Sequence, residues 1–176
     1  IVGENGSGKT TIFNLISKLY TNYEGEILIN GNEIRNYKDE ELRNEVLLIE
    51  SKPFILRENI NSNITLLEKE KIDESNFKKI IQFLELERIE KYSTKNLKDT
   101  LSKGEQKKIQ LARLLISKRS LILLDEVLSG LDKDMKEKVI SKIKERSKNS
   151  IIIIISHDPE IIKKCGKTLF ILKKLG

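Results

Sequence analysis

Near the start of the chain, Gly3-Glu4-Asn5-Gly6-Ser7-Gly8-Lys9-Thr10 fits the pattern G-x-x-x-x-G-K-[ST] at every fixed position. Glycines at these places let consecutive backbone N–H groups turn inward into a concave anion nest. A helix opening after Lys9 adds the positive end of its dipole. Lys9 supplies a point charge for β- and γ-phosphates, the Thr10 hydroxyl is a hard oxygen donor suited to Mg²⁺, and Thr11 is within reach of an α-phosphate. The competing reading is a chance glycine-rich turn. Apolar Ile1-Val2 before the loop and an amphipathic stretch after it favour the phosphate reading. Alone, the loop indicates a nucleoside triphosphate and not its use.

A second constellation lies at Leu121-Ile122-Leu123-Leu124-Asp125-Glu126, an apolar strand ending in two carboxylates. At the carboxyl edge of a parallel sheet such side chains face the ligand crevice. Asp125 is then placed to hold magnesium through water, and Glu126 to polarise an attacking water as general base. A buried strand that merely ends at a polar turn is the bland alternative, and coupling to the phosphate loop weighs against it.

These residues need elements to position them. Apolar spacing predicts a helix over Thr10–Tyr20 and another over Gly104–Ser117. Glu26–Ile29 followed by Asn30-Gly31 reads as a strand and hairpin turn, since Asn-Gly tolerates positive φ at both positions. Asp39–Asn44 reads as a short helix capped by Asp39, and Val46–Ile49, Leu121–Leu124, Ile151–Ile155 and Thr168–Leu172 as strands. The isoleucine run has the pattern of a fully buried strand. Helices are expected near Asp132–Arg146 and from Asp158. From Pro53 to about Thr100 the texture is helical and Asn/Lys-rich, with Phe77, Ile80, Ile81 and Leu84 on one face and a polar break at Ser93–Asn96. Strands alternating with helices argue an α/β fold with a mostly parallel sheet covered on both faces.

The bulk numbers bound the rest. A chain of 176 residues fits one domain with an inserted lobe. The charge of +6 comes from 33 Lys+Arg interspersed among 27 Asp+Glu, which points to a solvated surface rather than a nucleic-acid face. Cys165, the one cysteine, reads as a small apolar residue near a helix end. No stretch approaches the roughly 20 apolar residues that span a bilayer. Ile1-Val2 reads as the end of a strand begun upstream, so the sequence reads as an excerpt from a longer polypeptide.

Between the loop and the acidic strand stands Leu101-Ser102-Lys103-Gly104-Glu105-Gln106, which resembles the ABC signature LSGGQ; Lys107-Lys108-Ile109-Gln110-Leu111-Ala112-Arg113 continues the likeness. Asp125-Glu126-Val127-Leu128-Ser129-Gly130-Leu131-Asp132 is similar to that family's DEPTSALD run through its D-loop, and Ile155-Ser156-His157-Asp158 to its switch-histidine segment. Four motifs in family order cover nearly the whole chain. The resemblance to ABC ATP-binding domains implies a P-loop NTPase core over residues 1–52 and 105–176, an α-helical signature lobe over 53–104, and first strands of the core lying upstream. It implies ATP and Mg²⁺ as cofactors, with Gly3, Glu4, Asn5, Gly6, Ser7, Gly8, Lys9, Thr10 and Thr11 at the nucleotide. A second ATP-binding domain would lie head to tail, its γ-phosphate met across the interface by Ser102, Lys103, Gly104 and Glu105, with Asp132 in the D-loop. Read without the family, Ser102 and Glu105 are an ordinary capping box, and His157 a structural histidine after a buried strand. With it, His157 would contact the γ-phosphate and orient water beside Glu126.

Two departures stand out. Aligning Pro53-Phe54 with the family's QDPFLF segment puts Ser51 where a metal-coordinating glutamine is customary; serine coordinates too, with shorter reach. Lys103 replaces the first signature glycine, adding charge while restricting the backbone. None of the tyrosines occupies the place of the family's adenine-stacking aromatic. Pro53–Leu56 and Ile60–Leu66 resemble an exporter stretch, although the usual Gly-Glu pair before the signature is absent. The resemblance implies an ATPase that couples dimer closure to transport, of the export kind, at the cytoplasmic face of a cell membrane. Its transmembrane domain would lie in the same or a partner chain, with no nucleic acid. Two alternatives stay open: a non-transport ABC ATPase of the DNA-repair or translation type, and a nucleotide-gated module with little turnover. The repair type carries long coiled coils between the loop and the signature, and this insert has neither that length nor heptads.

Overall fold

The computed structural model describes residues 1–66, 68, 72–91 and 100–171. They divide into two compact units: Ile1–Ile49 with Arg119–Ser129 and Asn149–Gly176, and Glu50–Lys118 with Gly130–Lys148. The chain therefore crosses between units four times: after Ile49, on either side of the acidic strand, and again before Asn149.

The first unit is built on parallel strands β4 (Val46–Ile49), β5 (Leu121–Asp125) and β6 (Ile151–Ile155), in the order β4-β5-β6. The register pairs Leu124 with Ile49 on one side and Asp125 with Ile155 on the other. β1 (Val2–Gly3) pairs in parallel with β7 (Phe170–Ile171). Ile1 N–H donates to Ile154 O and Ile1 O accepts from Ser156 N–H, so β1 lies along the carboxyl end of β6. Helix α1 (Lys9–Ile16) follows the glycine loop, and helix α2 (Asp39–Glu45) leads into β4. Phe13 (0% exposed) heads a cluster with Ile29, Ile34, Leu42, Val46, Leu123 and Ile155. Removing such a ring costs about 3–5 kcal/mol in a well-packed core.

Several expectations need correction. The isoleucine run is a strand but is not buried along its length: exposure falls from 67% at Ile151 to 1% at Ile155. Its carboxyl end is flanked by β5 and Ile1, whereas its start has β5 alone among the described residues. The helix after the loop stops at Ile16 because Lys18 takes φ 57° and the amides of Leu19 and Tyr20 both turn back to Asn14 O. Asp39 is the first helical residue and not the cap. The amide of Lys38 donates to Glu41 Oε2 at 3.0 Å instead, and Asp39 pairs with Lys18 at 3.3 Å. The hairpin turn is as expected, with Asn30 at φ 52° and Gly31 at φ 79°, though its strands β2 (Leu28–Ile29) and β3 (Asn32–Glu33) are short. Cys165 does sit at a helix end, that of α8 (Pro159–Lys164), and is exposed.

The second unit is helical: α3 (Ile60–Thr65), α4 (Glu74–Phe83), α5 (Glu87–Lys91), α6 (Lys103–Ile116) and α7 (Lys133–Arg146). Ile80, Ile81 and Leu84 are buried as the spacing predicts, with Phe77 half-buried. α7 buries Met135, Val139, Ile140 and Ile143, the stripe of an amphipathic helix. The starts of four of these helices are capped by Asn59, Asp73, Ser102 and Asp132, each accepting from an amide three residues on. Ser93–Asn96 and Leu172 lie outside the described residues.

Candidate functional site

In the first unit the glycine loop, the end of β5 and the end of β6 carry the candidate residues. Gly6 and Gly8 hold φ 79° and 96°, the left-handed region that side chains rarely adopt. Gly3 is required for a different reason. A Cβ there would lie 2.4 Å from Ile171 O and 2.8 Å from Ser7 Oγ. Gly8 is the cap of α1, which has no side-chain cap and no acidic residue in its first turn. Its leading amides therefore present positive partial charge without a protein anion. Glu4, Asn5, Gly6, Thr10 and Thr11 are exposed, and Ser7 and Gly8 half-buried.

Lys9 is buried (7% exposed), and its ammonium donates to Gly3 O at 2.8 Å and Glu4 O at 2.7 Å. The cation is thus folded into the loop that precedes it. Thr10 Oγ1 donates to Asp125 Oδ2 at 2.8 Å, bringing together two residues 115 positions apart. That hydroxyl and carboxylate form a pair of hard oxygen donors suited to a small divalent cation completed by phosphate and water. The buried Ser7 Oγ has no hydrogen-bond partner, the kind of orphaned group a bound anion would satisfy. The loop thus fits a nucleotide phosphate, and the Thr10–Asp125 pair fits magnesium.

Glu126 follows β5 with its backbone at φ 50°, an uncommon conformation for a residue with a side chain. It is held there by its amide, which donates to Ile155 O at 3.1 Å, and by its carbonyl, which accepts from Ser129 Oγ at 2.8 Å. Its buried Oε1 has no hydrogen-bond partner and lies 3.7 Å from His157 Nε2. His157, half-exposed, is aimed by the turn after β6, where Ser156 Oγ accepts from the amide of Asp158 at 3.1 Å. A carboxylate with a free oxygen beside an imidazole can hold and orient a water. The strained backbone of Glu126 is a feature that residue type and spacing did not reveal.

The remaining candidates belong to the second unit. Ser102 caps α6 through a reciprocal box: Glu105 N–H donates to Ser102 Oγ at 3.2 Å, and Ser102 N–H donates to Glu105 Oε2 at 2.8 Å. The hydroxyl itself also donates to that oxygen at 2.8 Å. Against the opposing pull of burial, these bonds and nearby Arg88 hold the Glu105 carboxyl below its ordinary range. Lys103 and Gly104 are exposed at the helix start. Asp132 is spent on capping α7, accepting from Met135 N–H at 2.9 Å. Ser51 is exposed in a bend after β4. The structure thus joins Lys9, Thr10, Asp125, Glu126 and His157 in one unit, with Ser51, Ser102–Glu105 and Asp132 in the other. Two buried polar residues of α6, Gln110 and Arg113, were part of the signature likeness but were given no role by the sequence.

The family profile described as ABC transporter matches residues 1–129. The chain is 32% identical over 183 aligned positions to a putative export ATP-binding/permease protein, RP696, of Rickettsia prowazekii, covering 98% of this chain and 31% of that protein. It is 29% identical to the ATP-dependent lipid A-core flippase of Escherichia coli K12, covering 97% of this chain and 31% of the flippase. It is 26% identical to the glutathione/L-cysteine transport system ATP-binding/permease protein CydC of Haemophilus influenzae, covering 95% and 30%. The chain therefore spans about a third of the length of these relatives. Its fold matches the structure of a bacterial Atm1-family ABC exporter with ATP bound, at a TM-score of 0.81 and 24% identity over 92% of this chain and 29% of that one. Among the described residues no helix is long and apolar enough to cross a membrane. With the family profile matched from the glycine loop through the acidic strand, this chain belongs to the ABC transporter family.

Proposed function

We propose that this chain is the ATP-binding and ATP-hydrolysing domain of an ABC exporter, coupling nucleotide-driven pairing of two such domains to movement of a substrate across a membrane. The observation that carries the reading is the convergence of Lys9, Thr10, Asp125, Glu126 and His157 in one unit, with unspent hydrogen-bonding capacity on Ser7 and Glu126. Lys9 exchanges its two loop carbonyls for phosphate oxygens, and the bare start of α1 adds its amides. Thr10 and Asp125 would hold magnesium, which would neutralise charge developing on the phosphates. Glu126 holds the attacking water by its free oxygen, and His157 fixes that water's direction. Ser102, Lys103, Gly104 and Glu105 serve the partner domain's γ-phosphate, Asp132 belongs to the same dimer face, and Ser51 is a further metal contact. The chain's place is the cytoplasmic face of a membrane, beside a transmembrane domain in the same or a partner chain. That reading is supported by relatives whose names join an ATP-binding part to a permease.

Glu126→Gln in the complete protein tests it. Steady-state hydrolysis should fall about a thousandfold, the usual loss when a water-activating group is removed, while ATP affinity stays within about twofold. Unchanged hydrolysis would exclude Glu126 as the base. A second reading, a nucleotide-gated module with little turnover, is favoured only by Ser51 standing in place of the customary glutamine. Parent protein that binds ATP yet does not hydrolyse it would establish that reading instead.

A further inference from the structure

The segment from Glu50 to Asn59 contains bends but neither helix nor strand. Irregular backbone still needs partners for its polar groups. Here side chains supply them. Gln110 Nε2 donates to Glu50 O at 3.0 Å and to Lys52 O at 3.3 Å. Arg113 Nη1 donates to Phe54 O at 2.7 Å. Asn63 Nδ2 donates to Leu56 O at 3.2 Å and to Glu58 O at 3.0 Å, while its Oδ1 accepts from the amide of Leu56 at 2.8 Å. Asn63 Nδ2 also donates to Asn59 O at 3.0 Å, so the carbonyls at 50, 52, 54, 56, 58 and 59 of this bent segment are all held by side chains. Three side chains therefore take the place of backbone partners.

The donors are themselves fixed. Gln110, Arg113 and Asn63 are 3%, 6% and 0% exposed. Arg113 Nε donates to Asn63 O at 2.7 Å, tying α6 to α3. Gln110 and Arg113 stand three apart on α6, hence on one face of it. Ser51 lies between the two carbonyls that Gln110 grips. The other end of that amide, Oε1, is buried without a partner. An apolar side chain of similar size would avoid the cost of burying that oxygen, so the donor end carries the reason for a glutamine here.

We propose that Gln110 is a positioning residue for Ser51: with Arg113 it clasps the segment after β4 to the signature helix, so that Ser51 and Ser102 move as one body. The role in turnover rests on the ATPase reading above, whereas the clasp itself does not. Gln110→Met in the complete protein keeps the side chain's length and removes its donors. Amide hydrogen exchange in peptides spanning 50–56 should then rise about tenfold, with peptides spanning 3–12 unchanged. ATP hydrolysis should show kcat lowered about fivefold and KM within about twofold, the mark of a group acting after binding. Ser51→Ala should lower kcat too, and the double variant should match Ser51→Ala alone, because Gln110 acts through Ser51. Unchanged exchange, or rate effects that multiply in the double variant, would overturn the proposal. If Gln110→Met does not fold, Arg113→Lys replaces it. Lysine cannot span Phe54 O and Asn63 O together, so exchange at 52–58 should rise, and no rise overturns the clasp. A parent protein without ATPase activity would defeat the enzymatic reading, and the exchange measurement would still decide the clasp.

Discussion

Lys9 and Arg113 are both buried cations, 7% and 6% exposed, and among the described residues neither is paired with a carboxylate. Backbone carbonyls hold each of them. They differ in reach. Lys9 bonds residues 6 and 5 positions upstream, within the loop it belongs to, whereas Arg113 bonds residues 50 and 59 positions upstream in other parts of the fold. Burial of a charge costs several kcal/mol either way and is offset by charge-assisted bonds. A short-range grip can be exchanged for a ligand without parting any elements. A long-range grip cannot, because the elements it joins would lose their tie. Burial alone therefore does not mark a functional cation; the span of its bonds does.

Arg113→Met leaves Phe54 O and Asn63 O without donors and should cost about 3 kcal/mol, lowering Tm by roughly 9 °C. A melt unchanged within about 2 °C would put Arg113 in the same class as Lys9. Burial already lowers the Arg113 guanidinium to about 10, still far above neutrality, so this contribution should not vary between pH 6 and 8. Gly8→Ala addresses the loop that holds Lys9. No atom lies within 4 Å of the added carbon, so the expected cost of about 1–2 kcal/mol is conformational, from the φ of 96°. Nucleotide affinity should fall about tenfold, read by titration with a fluorescent ATP analogue. The smallest effect concerns Glu105. Its folded-state carboxyl lies below the ordinary range, so its stabilising bonds to Ser102 are present above that range and are lost as pH falls through the lowered value. Glu105→Gln should lower the neutral plateau of a stability-versus-pH curve slightly towards its acid value, flattening the acid limb. An unchanged acid limb would remove Glu105 from the linkage.

Much of this was legible in residue order. Val46–Ile49 and Ile151–Ile155 are strands with the boundaries that their apolar runs predict, and Ser102 caps its helix as the S-x-x-E spacing requires. The glycine loop and Asp125 were legible because phosphate and magnesium chemistry constrain residue type so tightly. What stayed hidden depends on distant partners. The helix after the loop ends early because Lys18 adopts positive φ, although the apolar spacing runs on to Leu19, which is 61% exposed. Periodicity marks Gln110 and Arg113 as interruptions of an apolar face, whereas they are buried because carbonyls some 50 to 60 residues upstream require donors. Glu126 gives no hint in sequence of its left-handed backbone.

On the proposed reading, Lys9 is held in readiness for phosphate by bonds it can surrender. Titrating an ATP analogue, with magnesium, into the complete protein and its Lys9→Ala variant tests this most directly. Affinity should fall about a hundredfold in the variant, with Tm within roughly 4 °C of the parent. Equal affinity in the two proteins would contradict it.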